Sequence, residues 1–336
     1  MAALPEHARV VIVGQGGIVG ASVAHHLIEA GWDNIVGLEK SAVPTDIGST
    51  SHASDFCYMT AHDKLTCYTT LYSKHFYQAR GNYIQTGGLE VARKDDDERM
   101  QELLRKVGSA KAFGTRAHMI SAAEAKARFP LLEEDMIQGA LWDPDAGLVT
   151  PRSQKVAGDL VDEAVATGKL QVFAYTPATR IVVEQGRAVG VATDKGTIMA
   201  DHVVLCVGIW GSPVAETAGV TLPLMPLEHP LLFFGPWDEL SGTGKDIVYP
   251  LFRDQGNSGY VRDTGDPTTP EGGLIEWRYY EPDNPRLIEA TDIAEPGEAR
   301  LSPSMRDLTL DQVMEGFEKA LEMTPILGEL GWEERR

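Results

Sequence analysis

The chain has 336 residues, 43% of them apolar, enough to bury a large core and to form two lobes. Its net charge of −19 argues against a nucleic-acid partner, because phosphate binding draws on clustered Lys and Arg. No apolar stretch reaches transmembrane length, so no membrane span is expected, and the first strand starts so soon after Met1 that no signal peptide is expected.

The first readable unit is Val10-Val11-Ile12-Val13-Gly14-Gln15-Gly16-Gly17-Ile18-Val19-Gly20, a buried strand breaking into a glycine turn that opens a helix. Glycines let backbone N–H groups approach phosphate oxygens, and the helix N-terminus adds partial positive charge. Ile18, Val19, Val23, Leu27 and Ile28 recur at helical spacing, and Gly31 is placed to end the helix. Ile35 to Leu38 then form a strand ending in Glu39, where an acid binds ribose hydroxyls and disfavours a 2′-phosphate. Read forward from Gly14, the spacing G-x-G-x-x-G requires glycine at 19, where Val19 stands, so one residue reads as inserted before Gly20. A turn that merely packs a helix on a sheet would look similar.

Gly87 to Arg93 predicts a strand entering a second lobe, and Asp95 to Val107 a charged helix. Ser121-Ala122-Ala123-Glu124 is a capping box. Thr150-Pro151 predicts a helix start with Thr as N-cap and Gly168 as terminator. Three strands follow, Thr179 to Glu184, Ala188 to Thr193 and Thr197 to Ala200, then an apolar run from Val203 that stops at Gly208-Ile209-Trp210-Gly211. Thr264 to Pro303 reads as long loops around a strand from Leu274 to Tyr280, and Thr309 to Gln312 as the cap of a last helix ended by Pro325. Cys57, Cys67 and Cys206 have neither metal-ligand spacing nor an even count, so no metal site is expected; reduced thiols point to a cytoplasmic protein.

Several segments together carry a family resemblance. The glycine turn, Gly48-Ser49-Thr50-Ser51-His52-Ala53, Gly87-Gly88-Leu89-Glu90-Val91-Ala92, Trp142-Asp143-Pro144-Asp145-Ala146-Gly147-Leu148 and Gly208 to Gly211 resemble the dimethylglycine oxidase and sarcosine dehydrogenase branch of FAD-dependent amine oxidoreductases. The resemblance runs along essentially the whole chain. It implies an α/β protein: a Rossmann-like, glutathione-reductase-type FAD domain (1–85 and 146–220) interleaved with an α+β substrate domain of mixed sheet and helices (86–145 and 221–325). It implies FAD held by Gly14, Gly16, Gly17, Gly20, Glu39, Lys40, Ser49, Thr50, Gly208 and Trp210, with covalent attachment at His52. From the residues alone, His52 is a solvated histidine in a Ser/Thr-rich turn.

The resemblance further places an active-site histidine at His229 and a substrate-facing tyrosine at Tyr260, although Pro230 departs from the family pattern. Read without it, each is a buried polar residue satisfied by backbone. Trp277, Arg278, Tyr279 and Tyr280 could line a pocket, with the arginine binding a carboxylate bidentately and the aromatics facing an alkylammonium, but are read first as a strand with one packed face. The implied activity is oxidation of a small N-methylated amino acid by hydride transfer to flavin, with a folate or electron-accepting protein as a possible partner. Family members continue beyond the region matching Leu327 to Gly331 into a segment that closes over the flavin ring, so the C-terminal part of the FAD domain is expected to be absent here. The competing expectations are a truncated, catalytically silent FAD-fold fragment that needs another chain, and a nicotinamide-linked dehydrogenase, which leaves Gly48 to His52 unexplained.

Overall fold

The computed structural model describes residues 3–269, 272–280, 285–288, 308, 311 and 313–333. The chain groups into two compact units, one of residues 1–54, 151–227 and 287–306, the other of 55–150, 228–286 and 307–336. Residues 55–85 and 146–150, assigned from sequence to the FAD domain, group with the second unit, and 221–227 with the first.

The first unit is built on a six-stranded sheet. The strand His7–Val13 (β1) pairs in parallel with Ile35–Leu38 (β2) on one side and with Gly196–Leu205 on the other, and Leu170–Phe173 adds in parallel beyond β2. A hairpin, Ala178–Glu184 and Arg187–Thr193, continues the sheet antiparallel. Val10, Val11 and Ile12 are fully buried, as a central parallel strand requires. The helix Ile18–Glu29 (α1) ends as expected, with Gly31 at φ +86°, a conformation that costs glycine little. Ala21 and Ala24 on its buried face have no bulk to hold it away from its neighbours.

Three local readings need correction. The strand expected to end at Ala200 and the run from Val203 are one strand, because β1 pairs with it without a break from His7↔Met199 to Val13↔Leu205 and carries Asp201-His202 through. The helix expected from Thr150 is Ser153–Ala166 with Arg152 at its cap; the Thr150 hydroxyl instead donates to Asp246 Oδ2 at 3.2 Å. The helix expected to stop at Val107 runs Asp97–Phe113: it carries Gly108 through its interior and ends at Gly114 at φ +84°.

The second unit holds an eight-stranded mixed sheet. Its order is Trp332–Glu333, Leu231–Phe234, Ile275–Tyr279, Gly259–Asp263, Leu251–Asp254, Gly88–Arg93, Ile137–Asp143 and His118–Ile120. Only the Leu251–Asp254 and Gly88–Arg93 neighbours pair in parallel. Leu89, Val91, Phe252, Val261, Ile275, Trp277 and Tyr279 belong to one buried cluster. By alternation, Glu90, Arg253, Tyr260, Arg262, Glu276 and Arg278 occupy the opposite face. The reading of Trp277 and Tyr279 as packed strand residues thus holds, while Arg278 lies on the polar face. The capping box at Ser121 and Glu124 is formed. The cap read at Thr309 to Gln312 lies outside the described residues apart from Asp311; the helix it precedes is Met314–Met323.

Candidate functional site

Four parallel strands of the first unit end at one place. Val13, Leu38 and Leu205 line a cavity of ≈ 740 Å³ together with Thr176, which follows Leu170–Phe173. Ligands of open α/β sheets bind beyond the carboxyl ends of such strands. The floor is the glycine turn. A Cβ on Gly14 would lie 2.3 Å from the Cys206 carbonyl oxygen, and Gly14 has φ +90°, so only glycine brings β1 and the neighbouring strand end this close.

The apparent insertion in the motif resolves when it is counted back from the helix. Gly17 is the N-cap of α1, and Gly20 packs so tightly that a Cβ there would stand 2.2 Å from the Gly14 carbonyl oxygen. These are the close-approach and helix-packing roles of the second and third motif glycines. Gln15 therefore takes the first glycine's place. Its side chain is buried, donates from Nε2 to the Gly20 carbonyl at 3.3 Å, and fills the space where a Cβ on Gly37 would be. Gly14, one residue earlier, takes the positive φ that the turn needs.

Glu39 ends β2 inside this site. Its Oε2 accepts from Gly16 N at 2.8 Å and its Oε1 from Ser41 N at 3.2 Å. Burial pushes its carboxyl up, against the opposing effect of those N–H donors. The first turn of α1 carries no acid, so the positive helix end is not neutralised from within; Ile18 N donates to Thr50 Oγ1 at 3.1 Å. Lys40 Nζ stands 4.8 Å from the Trp210 ring centroid.

Of the residues expected at the cofactor, Gly14, Gly17, Glu39, Lys40, Ser49, Thr50, Gly208 and Trp210 line the cavity, whereas Gly16, Gly20 and His52 do not. Gly16 and Gly20 shape the turn from behind. His52 sits in the turn closed by Ser51 N and Oγ on the Gly48 carbonyl. Thr45, Thr176 to Thr179, Leu222 and Leu224 also line the cavity and escape the sequence reading. The position of Thr176 just beyond a parallel strand was the available signal; Leu222 and Leu224 had none, being brought in by Ser212, whose Oγ donates to both their carbonyls. Cys206 lines the cavity too, its thiol pushed up to about 11 by burial.

His229 and Tyr260 belong to the second unit. They are joined through Tyr280, whose ring lies 4.5 Å from that of His229 and 5.9 Å from that of Tyr260. Tyr260 is buried, edge-on to Phe56 at 4.5 Å, and Arg278 stands over its ring at 5.8 Å. His229 keeps part of its surface in solvent, yet burial and then the Arg278 charge lower its pKa.

Comparison with known proteins identifies the group. The family model described as FAD dependent oxidoreductase (DAO) matches residues 9–333. The chain is 31% identical over 308 residues to 4-methylaminobutanoate oxidase (formaldehyde-forming) of Paenarthrobacter nicotinovorans, covering 89% of this chain and 35% of that protein. It is 31% identical over 276 residues to mitochondrial sarcosine dehydrogenase of Homo sapiens, covering 78% of this chain and 28% of the relative. Among solved structures, L-proline dehydrogenase from P. horikoshii superposes with a TM-score of 0.80 at 22% identity, over 98% of this chain and 80% of that one. The chain thus spans little more than a third, at most, of the two relatives' lengths.

The cytoplasmic expectation is corrected by the same findings. Sarcosine dehydrogenase, to which the chain is similar, is a mitochondrial protein. Unpaired cysteines do not tell one compartment from another. The match along residues 9–333, on a sheet whose strand ends and glycine turn build a dinucleotide cavity, places the chain in the FAD dependent oxidoreductase (DAO) family.

Proposed function

We propose that the chain takes part in oxidising the N–CH3 bond of a small N-methylated amino acid of the sarcosine or dimethylglycine type, with FAD as the acceptor. The observation that carries this reading is the cavity at the strand ends and glycine turn of the first unit, and the His229–Tyr280–Tyr260 cluster of the second unit supplies the candidate proton-handling groups. The names of the relatives, an oxidase of 4-methylaminobutanoate and a sarcosine dehydrogenase, support the substrate class.

The residues present fit the cofactor. Backbone without Cβ atoms at Gly14 and Gly17 lines the cavity; the N–H groups of Gly14, Gln15, Gly16 and Ile18 donate to Leu38 O, Glu39 Oε2 and Thr50 Oγ1, so what a phosphate would meet there is the close glycine backbone and the positive N-terminal end of α1. Glu39 is placed to accept from ribose hydroxyls, and Lys40 and Trp210 flank the cavity wall. FAD held there supplies the acceptor for the hydride that leaves the carbon next to nitrogen. We carry His52 as its covalent attachment point on the strength of its neighbours Gly48, Ser49 and Thr50, which line the cavity.

The protein's own task is proton control. An amine yields hydride only when its lone pair is available, so the ammonium form must lose its proton first. His229, whose imidazole burial and then the Arg278 charge push toward the neutral form, accepts that proton at a ring nitrogen, and Tyr260 orients the substrate. The protein loaded with FAD is to be mixed anaerobically with sarcosine or dimethylglycine and flavin bleaching followed. His229→Gln and Tyr260→Phe should each slow it by about 10² or more; unchanged rates in both variants would remove them from the reaction. Acid-precipitated protein should keep flavin colour, and His52→Ala should lose it. Equal colour in both pellets would refute the attachment. Tighter binding of NAD or NADP than of FAD would overturn the cofactor.

A further inference from the structure

Lys195 stands at the tip of the hairpin between Arg187–Thr193 and Gly196–Leu205, where it is exposed. A lysine at such a tip ordinarily leaves its ammonium in water, because holding the flexible stem in one geometry costs entropy. Here Lys195 Nζ instead donates to the Tyr175 carbonyl at 2.6 Å and to Thr176 Oγ1 at 2.8 Å. The base of the side chain is held as well: Thr193 Oγ1 accepts from Lys195 N at 3.0 Å and donates to the Gly196 carbonyl at 2.9 Å.

The two acceptors belong to a strained turn. Tyr175 has φ +50°, a left-handed conformation that an L side chain adopts only at a cost, and the residue is 63% exposed, so side-chain packing does little to hold it there. Hydrogen bonds hold it instead. Tyr175 N donates to the Ser41 carbonyl at 3.0 Å, Thr176 N donates to the Glu39 carbonyl at 2.8 Å, and the Lys195 ammonium takes the Tyr175 carbonyl. The turn is thus stitched to Glu39 and Ser41 on one side and to Lys195 on the other. Thr176 is buried and lines the cavity together with Glu39 and Lys40.

We propose that Lys195 is a positioning residue for the nucleotide half of the cofactor: by holding Tyr175 and Thr176 in the left-handed turn, it fixes the cavity wall beside Glu39. The proposal rests on the reading of this cavity as the dinucleotide site. Without the ammonium, the Tyr175 carbonyl and the Thr176 hydroxyl lose a charged donor, and the strain at Tyr175 is relieved by relaxation toward an ordinary right-handed or extended backbone. That rotation carries the Thr176 N–H away from the Glu39 carbonyl and moves the wall. The ligand must then re-form the wall as it binds, and the ordering cost is subtracted from its affinity.

The test is calorimetric titration of the whole chain with ADP and with FAD, beside hydrogen exchange of the ligand-free protein over residues 174–177. Lys195→Met should bind both ligands about five- to tenfold more weakly, by the same factor because they share the nucleotide half, and its Thr176 amide should exchange faster. Lys195→Arg keeps a charged donor for both acceptors and should stay within about twofold of the parent in both readouts. In a Tyr175→Gly background, where the left-handed turn costs little, Lys195→Met should lose no more than about twofold. Unchanged ADP affinity in Lys195→Met, a fall confined to FAD, an arginine variant as weak as the methionine one, or an equal loss in the glycine background each overturns the proposal. A parent chain that binds neither nucleotide refutes the dinucleotide reading and the positioning role with it, whereas a parent that binds both no better than Lys195→Met does refutes the positioning role alone.

Discussion

Replacing glycine by alanine inside a helix ordinarily stabilises it, by about 1 kcal/mol, because alanine loses less backbone entropy on folding. Two helical glycines of this chain should respond with opposite signs. A Cβ on Gly108, within Asp97–Phe113, would meet nothing within 4 Å, so Gly108→Ala should stabilise the second unit by about 0.5–1 kcal/mol. A Cβ on Gly20 would stand 2.2 Å from the Gly14 carbonyl oxygen and 2.9 Å from Gln15 Cα, both backbone atoms that no rotamer change moves away. Ordinary contact begins at 3.4 Å, so α1 must shift by roughly 1 Å from the turn it opens. Overpacking of this kind costs about 1–3 kcal/mol, and more where backbone must yield, which outweighs the propensity gain. Gly20→Ala should therefore destabilise the first unit by at least about 1 kcal/mol and weaken FAD binding, since the displaced N-terminus is the phosphate platform. Urea unfolding read by hydrogen exchange, on peptides from β1 and from Asp97–Phe113, separates the two units. A Gly20→Ala protein as stable as the parent would refute the close-packing argument and the assignment of Gly20 as third motif glycine with it.

Asp145 gives an acid-limb prediction. Arg116 and Lys74 hold its carboxyl down at about 2, below an unfolded value of about 4, so the folded state binds fewer protons between those values. Its stabilisation is present above pH ~4 and is lost as pH falls toward 2; Asp145→Asn should flatten the unfolding midpoint across that window, and a parallel pH profile would exclude the pair as its source. Cys57 and Cys206 thiols, both pushed up to about 11 mainly by burial, should be alkylated slowly in the native protein, with thiolate near one part in a thousand at pH 8. Bound FAD should slow Cys206 further, and alkylation as fast as in urea would contradict both placements. The proton-acceptor role of His229 predicts that flavin bleaching falls off in acid only below the ordinary imidazole pKa, and that Arg278→Gln moves this limb upward; a limb that stays in place in a stopped-flow pH series would detach Arg278 from His229.

The sequence determined what depends on neighbours along the chain. The β1–turn–α1–β2 order, the positive-φ stop at Gly31, the capping box at Ser121 and Glu124, and the placing of Glu39 at a strand end are all set within a dozen residues, where backbone propensity and apolar period act directly. What depends on pairing with distant residues was not legible. The strand from Gly196 runs through Asp201-His202 because β1 supplies its hydrogen bonds, and Thr150 fails to cap a helix because Asp246 takes its hydroxyl. The motif frame itself was ambiguous in one dimension: only the approach of Gly20 to the Gly14 carbonyl shows that Gln15, not an inserted residue, breaks the glycine pattern, with Gly37 making room for it. Likewise, Trp277 to Tyr280 reads as one stretch, but the pleat sends Trp277 and Tyr279 into the core and sets Arg278 beside Tyr260. Local chemistry fixes which element forms; the convergence of side chains from separate strands is decided by sheet register and close packing, which no single segment encodes.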